Sequence, residues 1–209
     1  MQILVLCGDY WHPCEVVRAG LEALDDEELA FDWVTSTAGW SADALGDYPV
    51  VVLAKSDRVS PEDERKWLTP AVRRALADYV RGGGGLLVLH AGTVGYREMP
   101  ELFELIGGVF VEHPPQCPVT VDPAPDHPLA AGVQSFRVQD EHYMMEMADV
   151  DVDVFLTSRS EHGDQPAGWT RTPGEGRVCV LTPGHTEAVM VHPQFQTLLR
   201  NALRWCGAC

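Results

Sequence analysis

The segment at residues 82–96, GGGGLLVLHAGTVGY, constrains this chain more than any other part of its sequence. Four glycines lead into the short apolar run at 86–89, which ends at His90 and is followed by Ala91 and Gly92. A short buried strand that ends in a polar residue and a tight glycine turn is how an α/β sheet presents a reactive side chain at its carboxyl edge. That residue is usually a Ser or Cys nucleophile. Because it is His90 here, the segment predicts a site for imidazole chemistry.

Strand and helix patterns alternate through the first half of the chain. Short apolar runs at 2–7, 31–35, 50–54 and 86–89 are typical of parallel strands that are covered on both faces. Apolar residues at helical spacing predict a helix at 14–24 and another from Pro61 to Val80, with a kink or break at Pro70. The alternation predicts a right-handed parallel α/β sheet.

The second half of the chain predicts shorter elements. A helix is expected at 98–106 and an amphipathic helix at 193–205, with short strands at 109–112, 119–122, 136–138, 152–157 and 178–181. These strands either extend the parallel sheet or form an antiparallel flap. Because 209 residues suit one sizeable core and show no internal repeat, we expect a single domain spanning 1–209.

The charge balance limits the partners of the chain. Lys and Arg number 15 against 31 Asp and Glu, which gives a net charge of −16 without any basic run. This sign disfavours nucleic acid and anionic membranes, and favours a neutral or cationic small molecule or a metal. The sequence shows neither a secretory signal pattern nor an apolar run of about 20 residues. We therefore expect a cytoplasmic protein whose six cysteines are mostly reduced, with a homodimer as the commonest assembly.

Three histidines follow predicted strands. His12 comes shortly after the first strand, His90 ends the central one, and His185 follows the strand at 178–181. Loops at the carboxyl ends of parallel strands converge on one crevice, so these imidazoles are expected to meet there. They are candidate ligands of a divalent metal, zinc or manganese, or groups that transfer protons near neutral pH. The alternative is that each is an ordinary loop histidine.

The segment QDEHY at 139–143 adds carboxylates. Side chains that are adjacent on an extended chain point to opposite faces, so only one of Asp140 and Glu141 can face a given site, and Glu141 shares its face with Tyr143. Glu141 is a candidate base, metal ligand or acceptor for a substrate hydroxyl, unless the segment is a solvated acidic turn. Glu187, two residues after His185, is a second candidate carboxylate that would orient the imidazole.

Taken together, these segments resemble the trehalose-utilisation (ThuA-like) family of the class I glutamine-amidotransferase-like superfamily. The matching motifs are GGGLLVLHAGT at 83–93, LIGGVFVEH at 105–113, DHPLAAGV at 126–133, QDEHY at 139–143, the Pro-X-Gly-Trp segment at 166–169, GEGRVCVLTPGH at 174–185 and HPQFQTLLRNALRW at 192–205. The resemblance implies a flavodoxin-like α/β fold, with a mostly parallel sheet flanked by helices and extra short strands in the second half. Glutamine amidotransferases carry a Cys where His90 stands, and His185 with Glu187 resembles their partner pair. An imidazole cannot form the thioester of amide hydrolysis, so the chain is not expected to be a glutaminase.

The resemblance implies a role in carbohydrate metabolism, on a disaccharide or keto-sugar, by acid/base or metal-assisted chemistry. Proton abstraction next to a carbonyl, as in isomerisation, suits two positioned bases without a nucleophile. The candidate catalytic residues are His90, His185 and Glu141, and the candidate contacts to the carbohydrate are Tyr143, Trp169, Asp140 and Gly92. Two alternatives remain open: a non-catalytic sugar-binding or regulatory module on an amidotransferase-like scaffold, and a hydrolase with Cys7 or Cys14 as nucleophile.

Overall fold

A computed structural model describes residues 1–24 and 26–208 of the chain. The strands are β1 (Gln2–Cys7), β2 (Ala30–Val34), β3 (Val50–Ala54), β4 (Gly85–Leu89), β5 (Gly108–Glu112), β6 (Cys117–Pro123), β7 (Phe136–Asp140), β8 (Met144–Met147), β9 (Asp153–Ser160), β10 (Gly163–Arg171) and β11 (Arg177–Leu181). The α-helices are α1 (Cys14–Glu22), α2 (Pro70–Arg81), α3 (Pro100–Ile106), α4 (Glu187–Met190) and α5 (Pro193–Cys206).

Nine of the described strands form one mixed sheet in the order β2-β1-β3-β4-β11-β10-β9-β6-β7. The first five of these pair in parallel, and the remaining strands continue the same sheet in antiparallel fashion. Strands β5 and β8 form a separate antiparallel pair. The predicted α/β fold is confirmed, and the second half of the chain supplies both the extension of the sheet and a small antiparallel flap.

The parallel strands are buried on both faces, as their continuous apolar sequences predict. Alternate residues of β1 belong to different cores: Ile3 and Val5 pack with α1 and α5, whereas Leu4 and Leu6 pack with α2 and α3. The helices therefore cover both faces of the sheet and leave the loops at the carboxyl ends of β1, β4 and β11 available for the site.

The predicted helix from Pro61 to Val80 is wrong in its first part, because α2 begins only at Pro70. Thr69 is extended and its hydroxyl accepts the backbone N–H of Val72, so the proline starts the helix rather than kinking it. Just before it, the Asp57 carboxylate accepts the backbone N–H of Leu68. These side-chain contacts satisfy the backbone of a loop where the sequence pattern predicted a helix.

The sequence pattern does not predict strand β10, although this strand contains the Pro-X-Gly-Trp segment at 166–169. Its pairing with β9 shifts register between Pro166 and Gly168, and again between Gly168 and Trp169. Proline donates no hydrogen bond to a neighbouring strand and is tolerated in the middle of a sheet only at such irregularities. A proline and two glycines within residues 163–171 therefore argue against a strand when the sequence is considered alone.

Cys7 and Cys14 form a disulfide that joins the end of β1 to the start of α1, with Cα atoms 5.0 Å apart. The expectation of reduced cysteines is therefore wrong for this pair, because the fold brings the two residues within bonding range. A bonded cysteine also cannot act as the nucleophile considered from the sequence. Cys117 and Cys179 remain buried thiols. Among the helices described, none is long and apolar enough to cross a membrane.

Candidate metal centre

His90 stands at a strained turn at the end of β4. Its φ of 38° is the only positive value of a non-glycine residue in the described chain, and such strain is typical of residues that a fold holds for function. A Cβ added to Gly92 would lie 2.0 Å from the carbonyl oxygen of Leu53, so only glycine permits this approach to β3. Gly92 therefore shapes the turn, and its contact with the substrate stays a prediction.

His12 is held by Asp9 in the loop after β1. The Asp9 carboxylate oxygen Oδ1 lies 2.9 Å from Nδ1 of His12 and also accepts the backbone N–H groups of Trp11 and His12. This arrangement assigns the Nδ1 proton to the contact with Asp9 and leaves Nε2 for the site, 3.3 Å from the Tyr143 hydroxyl.

His185 lies in the loop after β11, and Asp140 fixes that loop. The buried Asp140 carboxylate accepts the backbone N–H of Gly184 at 2.9 Å and that of His185 at 3.0 Å. Burial raises the pKa of Asp140, against the effect of His90 and of these N–H donors. Asp140 is thus a positioning residue for the loop, which corrects its expected contact with the carbohydrate.

Glu141 lies at the centre of the histidines. Its Oε2 is 3.1 Å from Nδ1 of His185 and 3.4 Å from Nε2 of His90, and its Oε1 is 3.5 Å from Nε2 of His113. The carboxylate beside His185 is therefore Glu141. Glu187, the carboxylate expected from the local sequence, is exposed in the first turn of α4.

The contacts of Glu141 shift the pKa values of the cluster. Burial raises the pKa of the Glu141 carboxyl, but the contacts with His185 and His90 outweigh burial and hold it below its usual range. Contact with Glu141 raises the pKa of His185, against the opposing effect of burial. Burial lowers the pKa of His90, against the contact with Glu141. His90 is accordingly held neutral, the form in which an imidazole binds a metal.

Four residues bring one potential ligand atom each to the same place, and these four atoms all lie within 4.8 Å of one another. The residues are His12, His90, Glu141 and His185. The Nδ1 atom of His90 is 2.7 Å from the carbonyl oxygen of Thr182, so this nitrogen carries the proton and Nε2 is left as a lone pair. Within the described residues, neither Nε2 of His90 nor Nδ1 of His185 makes a well-formed hydrogen bond, although both are buried. Buried polar atoms rarely lack a hydrogen-bond partner unless they bind a ligand, an ion or a water molecule.

A cleft of about 420 Å³ opens onto this cluster. It is lined by Trp11, His12, Val94, Phe110, His113, Glu141, Tyr143 and His185. The ring of Tyr143 stacks on His90 with centroids 4.1 Å apart and is only 2% exposed, so Tyr143 forms part of the inner wall. Trp169 is fully buried and donates its indole N–H to the carbonyl of Ile106, so it does not supply the predicted stacking wall.

Sequence reasoning missed two residues of this site. Asp9 has a recognisable signal, because an Asp three residues before His12 is the spacing of a side chain that accepts backbone N–H groups in a turn. His113 ends the motif LIGGVFVEH, but the sequence does not show that the β5–β8 pair carries it to Glu141.

Comparisons with known proteins agree with this fold. A family model described as trehalose utilisation matches residues 2–206, and no curated protein matches the sequence. The structure of a ThuA-like protein from Parabacteroides merdae gives a TM-score of 0.82 at 19% identity, over 100% of this chain and 90% of that one. A ThuA-like protein from Bacteroides uniformis gives 0.74 at 21% identity, over 99% and 91%. A Salmonella typhimurium protein described as cytoplasmic gives 0.67 at 18% identity, over 99% of both chains.

At these identities the structural matches establish a shared fold, the flavodoxin-like architecture expected from the sequence. The family model carries the assignment further, because it spans all of the secondary structure from β1 to α5. The chain belongs to the ThuA family, whose model is described as trehalose utilisation.

Proposed function

We propose that His12, His90, His185 and Glu141 bind one divalent metal ion and that the protein uses it to act on a sugar or keto-sugar. The observation that carries this proposal is the pair of buried nitrogens, Nε2 of His90 and Nδ1 of His185, that lack well-formed hydrogen bonds in the described chain and face the same carboxylate oxygen. The family's description supports a sugar as the substrate class.

The donor set fits a zinc ion. Zn–N and Zn–O bonds of about 2.0–2.1 Å place tetrahedral ligand atoms about 3.3 Å apart, and Glu141 Oε2 lies 3.1 and 3.4 Å from the two nitrogens. The outer nitrogens of His12 and His90 contact the Asp9 carboxylate and the Thr182 carbonyl, as metal-bound histidines usually require. Three imidazoles favour zinc over magnesium or calcium, and manganese is the second choice because it accepts a carboxylate.

The reaction that suits this site is proton transfer next to a carbonyl, as in isomerisation or epimerisation of a keto-sugar. A metal held by these four residues would supply positive charge that polarises the carbonyl oxygen, by taking that oxygen as a fifth ligand. His113 is the imidazole in the cleft that lies outside the ligand set: its Nδ1 is 2.8 Å from the Pro114 carbonyl, which leaves Nε2 to accept the proton from carbon. The Tyr143 hydroxyl stays protonated, because burial raises its pKa well above the usual value, and donates to the substrate. Return of this proton from His113 to the former carbonyl carbon, with the proton of the neighbouring hydroxyl moving to the former carbonyl oxygen, completes an isomerisation without an oxidant.

The test is metal analysis of the purified protein together with single substitutions. Wild-type protein should take up one equivalent of zinc, and His90→Ala and Glu141→Gln should lose it. His127→Ala is the matched control, because His127 contacts Asp153 and stacks on Phe155 away from the cluster. Solvent deuterium incorporation into keto-sugars, followed by NMR, then tests the reaction class. Failure of the wild type to bind zinc or manganese at equimolar concentration contradicts the metal proposal.

A metal-free acid/base site is a second candidate, favoured by the 3.1 Å contact between His185 and Glu141. The raised pKa of His185 suits such a pair. Deuterium exchange that persists after chelation of all metal supports this candidate. Sugar binding without exchange, with or without metal, supports the non-catalytic module instead.

A further inference from the structure

The mouth of the cleft carries an exposed indole that the chemistry described above does not use. Trp11 is 64% exposed, whereas the side chain of Glu141 at the inner end of the same cleft is only 11% exposed. Its neighbour Tyr10 is 57% exposed, and adjacent exposed aromatic side chains are typical of a binding surface. Trp11 thus stands at the solvent end of a cavity whose reactive groups lie deeper.

Trp11 is held in place from two directions. Its backbone N–H donates to Oδ1 of Asp9 at 2.9 Å, and its ring packs edge-on against Tyr10 with centroids 4.5 Å apart. The guanidinium of Arg58 lies over the Tyr10 ring, 5.6 Å from its centroid. These contacts restrict the segment that carries Trp11, which reduces the conformational freedom that the side chain loses when a ligand stacks on it.

The other lining residues indicate an uncharged ligand. No lysine or arginine is among the described residues that line the cleft, while Glu141 and the overall charge of −16 disfavour anions. Val94 and Phe110 add apolar surface to the same cleft. An apolar wall together with polar groups at the inner end suits a sugar, which has an apolar ring face and hydroxyls at its edge.

We infer that Trp11 is the stacking platform for the second ring of an uncharged two-ring sugar, while the first ring contacts the His/Glu cluster. The inference rests on the proposed function for the position of the first ring. Trp11 is then a residue that determines ligand size and has no part in the proton transfer.

The experiment compares binding of trehalose and methyl α-glucoside to zinc-loaded protein, by NMR titration of the ligand signals. Trp11→Ala should weaken trehalose binding about three- to tenfold, the usual effect of one aromatic contact, and leave methyl α-glucoside within twofold. Trp11→Phe should restore most of the affinity. Trehalose 6-phosphate should bind more weakly than trehalose, and tighter binding would contradict the uncharged ligand.

The zinc stoichiometry of Trp11→Ala separates this inference from the proposed function. The variant should still bind one zinc, because Trp11 contributes only its backbone N–H to the support of Asp9. If Trp11→Ala lowers the affinity for both sugars equally, or for neither, the stacking role of Trp11 is contradicted and the proposed metal site is unaffected. If the wild type binds zinc but neither sugar, the platform is also overturned. If it binds no metal, the proposed function fails first.

Discussion

Asp9 and His12 are joined through one carboxylate oxygen, which lies 2.9 Å from the ring nitrogen Nδ1 and accepts the His12 backbone N–H at 3.0 Å. The other oxygen of Asp9 accepts the backbone N–H of Ser56 at 2.8 Å, which ties the loop after β1 to the end of β3. Burial raises the pKa of Asp9, but the contacts with His12 and these N–H donors outweigh it and keep the carboxyl ionised. The relationship fixes both the tautomer and the direction of the His12 ring.

Replacing this carboxylate should weaken metal binding without removing a ligand. Asp9→Asn keeps the size of the side chain but loses the charge that orients His12, and we expect zinc affinity to fall about 10- to 100-fold. Competition with a chromophoric chelator measures the change.

Asp57→Asn is the matched control, because Asp57 is also a buried carboxylate that accepts a backbone N–H, from Leu68, but lies outside the cluster. It should lower stability and leave zinc affinity within about twofold. Equal effects of the two substitutions on zinc affinity would show that Asp9 acts on the fold alone.

The sequence predicts the location of the site better than its detailed contacts. The convergence of His12, His90 and His185 follows from a topological rule about the ends of parallel strands, and the structure places them together. Their role as ligands stays a prediction. The pairing of Glu141 with His185 spans 44 residues, and no local spacing encodes it. The nearby Glu187 fits the local pattern and lies elsewhere.

Residue type also fails to reveal what a side chain contacts. Trp169 has the chemistry of a sugar platform, yet its strand β10 places it in the core that packs with α2 and α3. Asp140 has the chemistry of a ligand, yet its carboxylate accepts hydrogen bonds from two backbone N–H groups. Only the tertiary structure shows that Trp169 and Asp140 are buried in the fold, whereas Trp11 and Glu141 line the cleft.

The loop that carries His185 should depend on Asp140. Asp140→Ala leaves the N–H groups of Gly184 and His185 without their acceptor in the interior, and we expect the free energy of unfolding to fall by about 2–4 kcal/mol. Asp140→Asn keeps one acceptor oxygen and should lose less. Urea unfolding measures both, with the exposed Asp126→Ala expected to stay within about 0.5 kcal/mol of the wild type. A loss for Asp140→Ala that is as small as that of Asp126→Ala would contradict this role.

The two candidate carboxylates near His185 should differ sharply in effect. Glu141→Gln removes the charge that contacts His90 and His185, so zinc binding should fall by at least tenfold. Glu187→Gln changes an exposed side chain in the first turn of α4 and should leave zinc affinity within about twofold. Isothermal titration of both variants decides between them. A strong effect of Glu187→Gln would restore the pairing expected from the sequence.

Lys55 should give the metal-free protein a distinct pH dependence. Its Nζ is fully buried and donates to the Val59 carbonyl at 2.8 Å. Burial lowers the pKa of Lys55 from 10.5 to about 8, against the opposing charge of Asp9. Between these two values the unfolded chain binds the proton that the folded chain has lost, so the free energy of unfolding rises with pH. The slope from this group is at most about 1.4 kcal/mol per pH unit.

Lys55→Met removes this contribution to the pH dependence. The Val59 carbonyl still has a hydrogen-bond donor in this variant, because it also accepts the Thr37 backbone N–H. The wild type should therefore gain stability relative to Lys55→Met as the pH rises from about 8 to 10.5. Urea unfolding in the presence of a chelator, at pH 7.5 and 9.5, measures the difference, since other titrations cancel between the two proteins. Lys66→Met, which also removes one positive charge but from an exposed side chain, should show no such trend. A stability difference between wild type and Lys55→Met that does not change with pH would mean that Lys55 keeps its proton in the folded state.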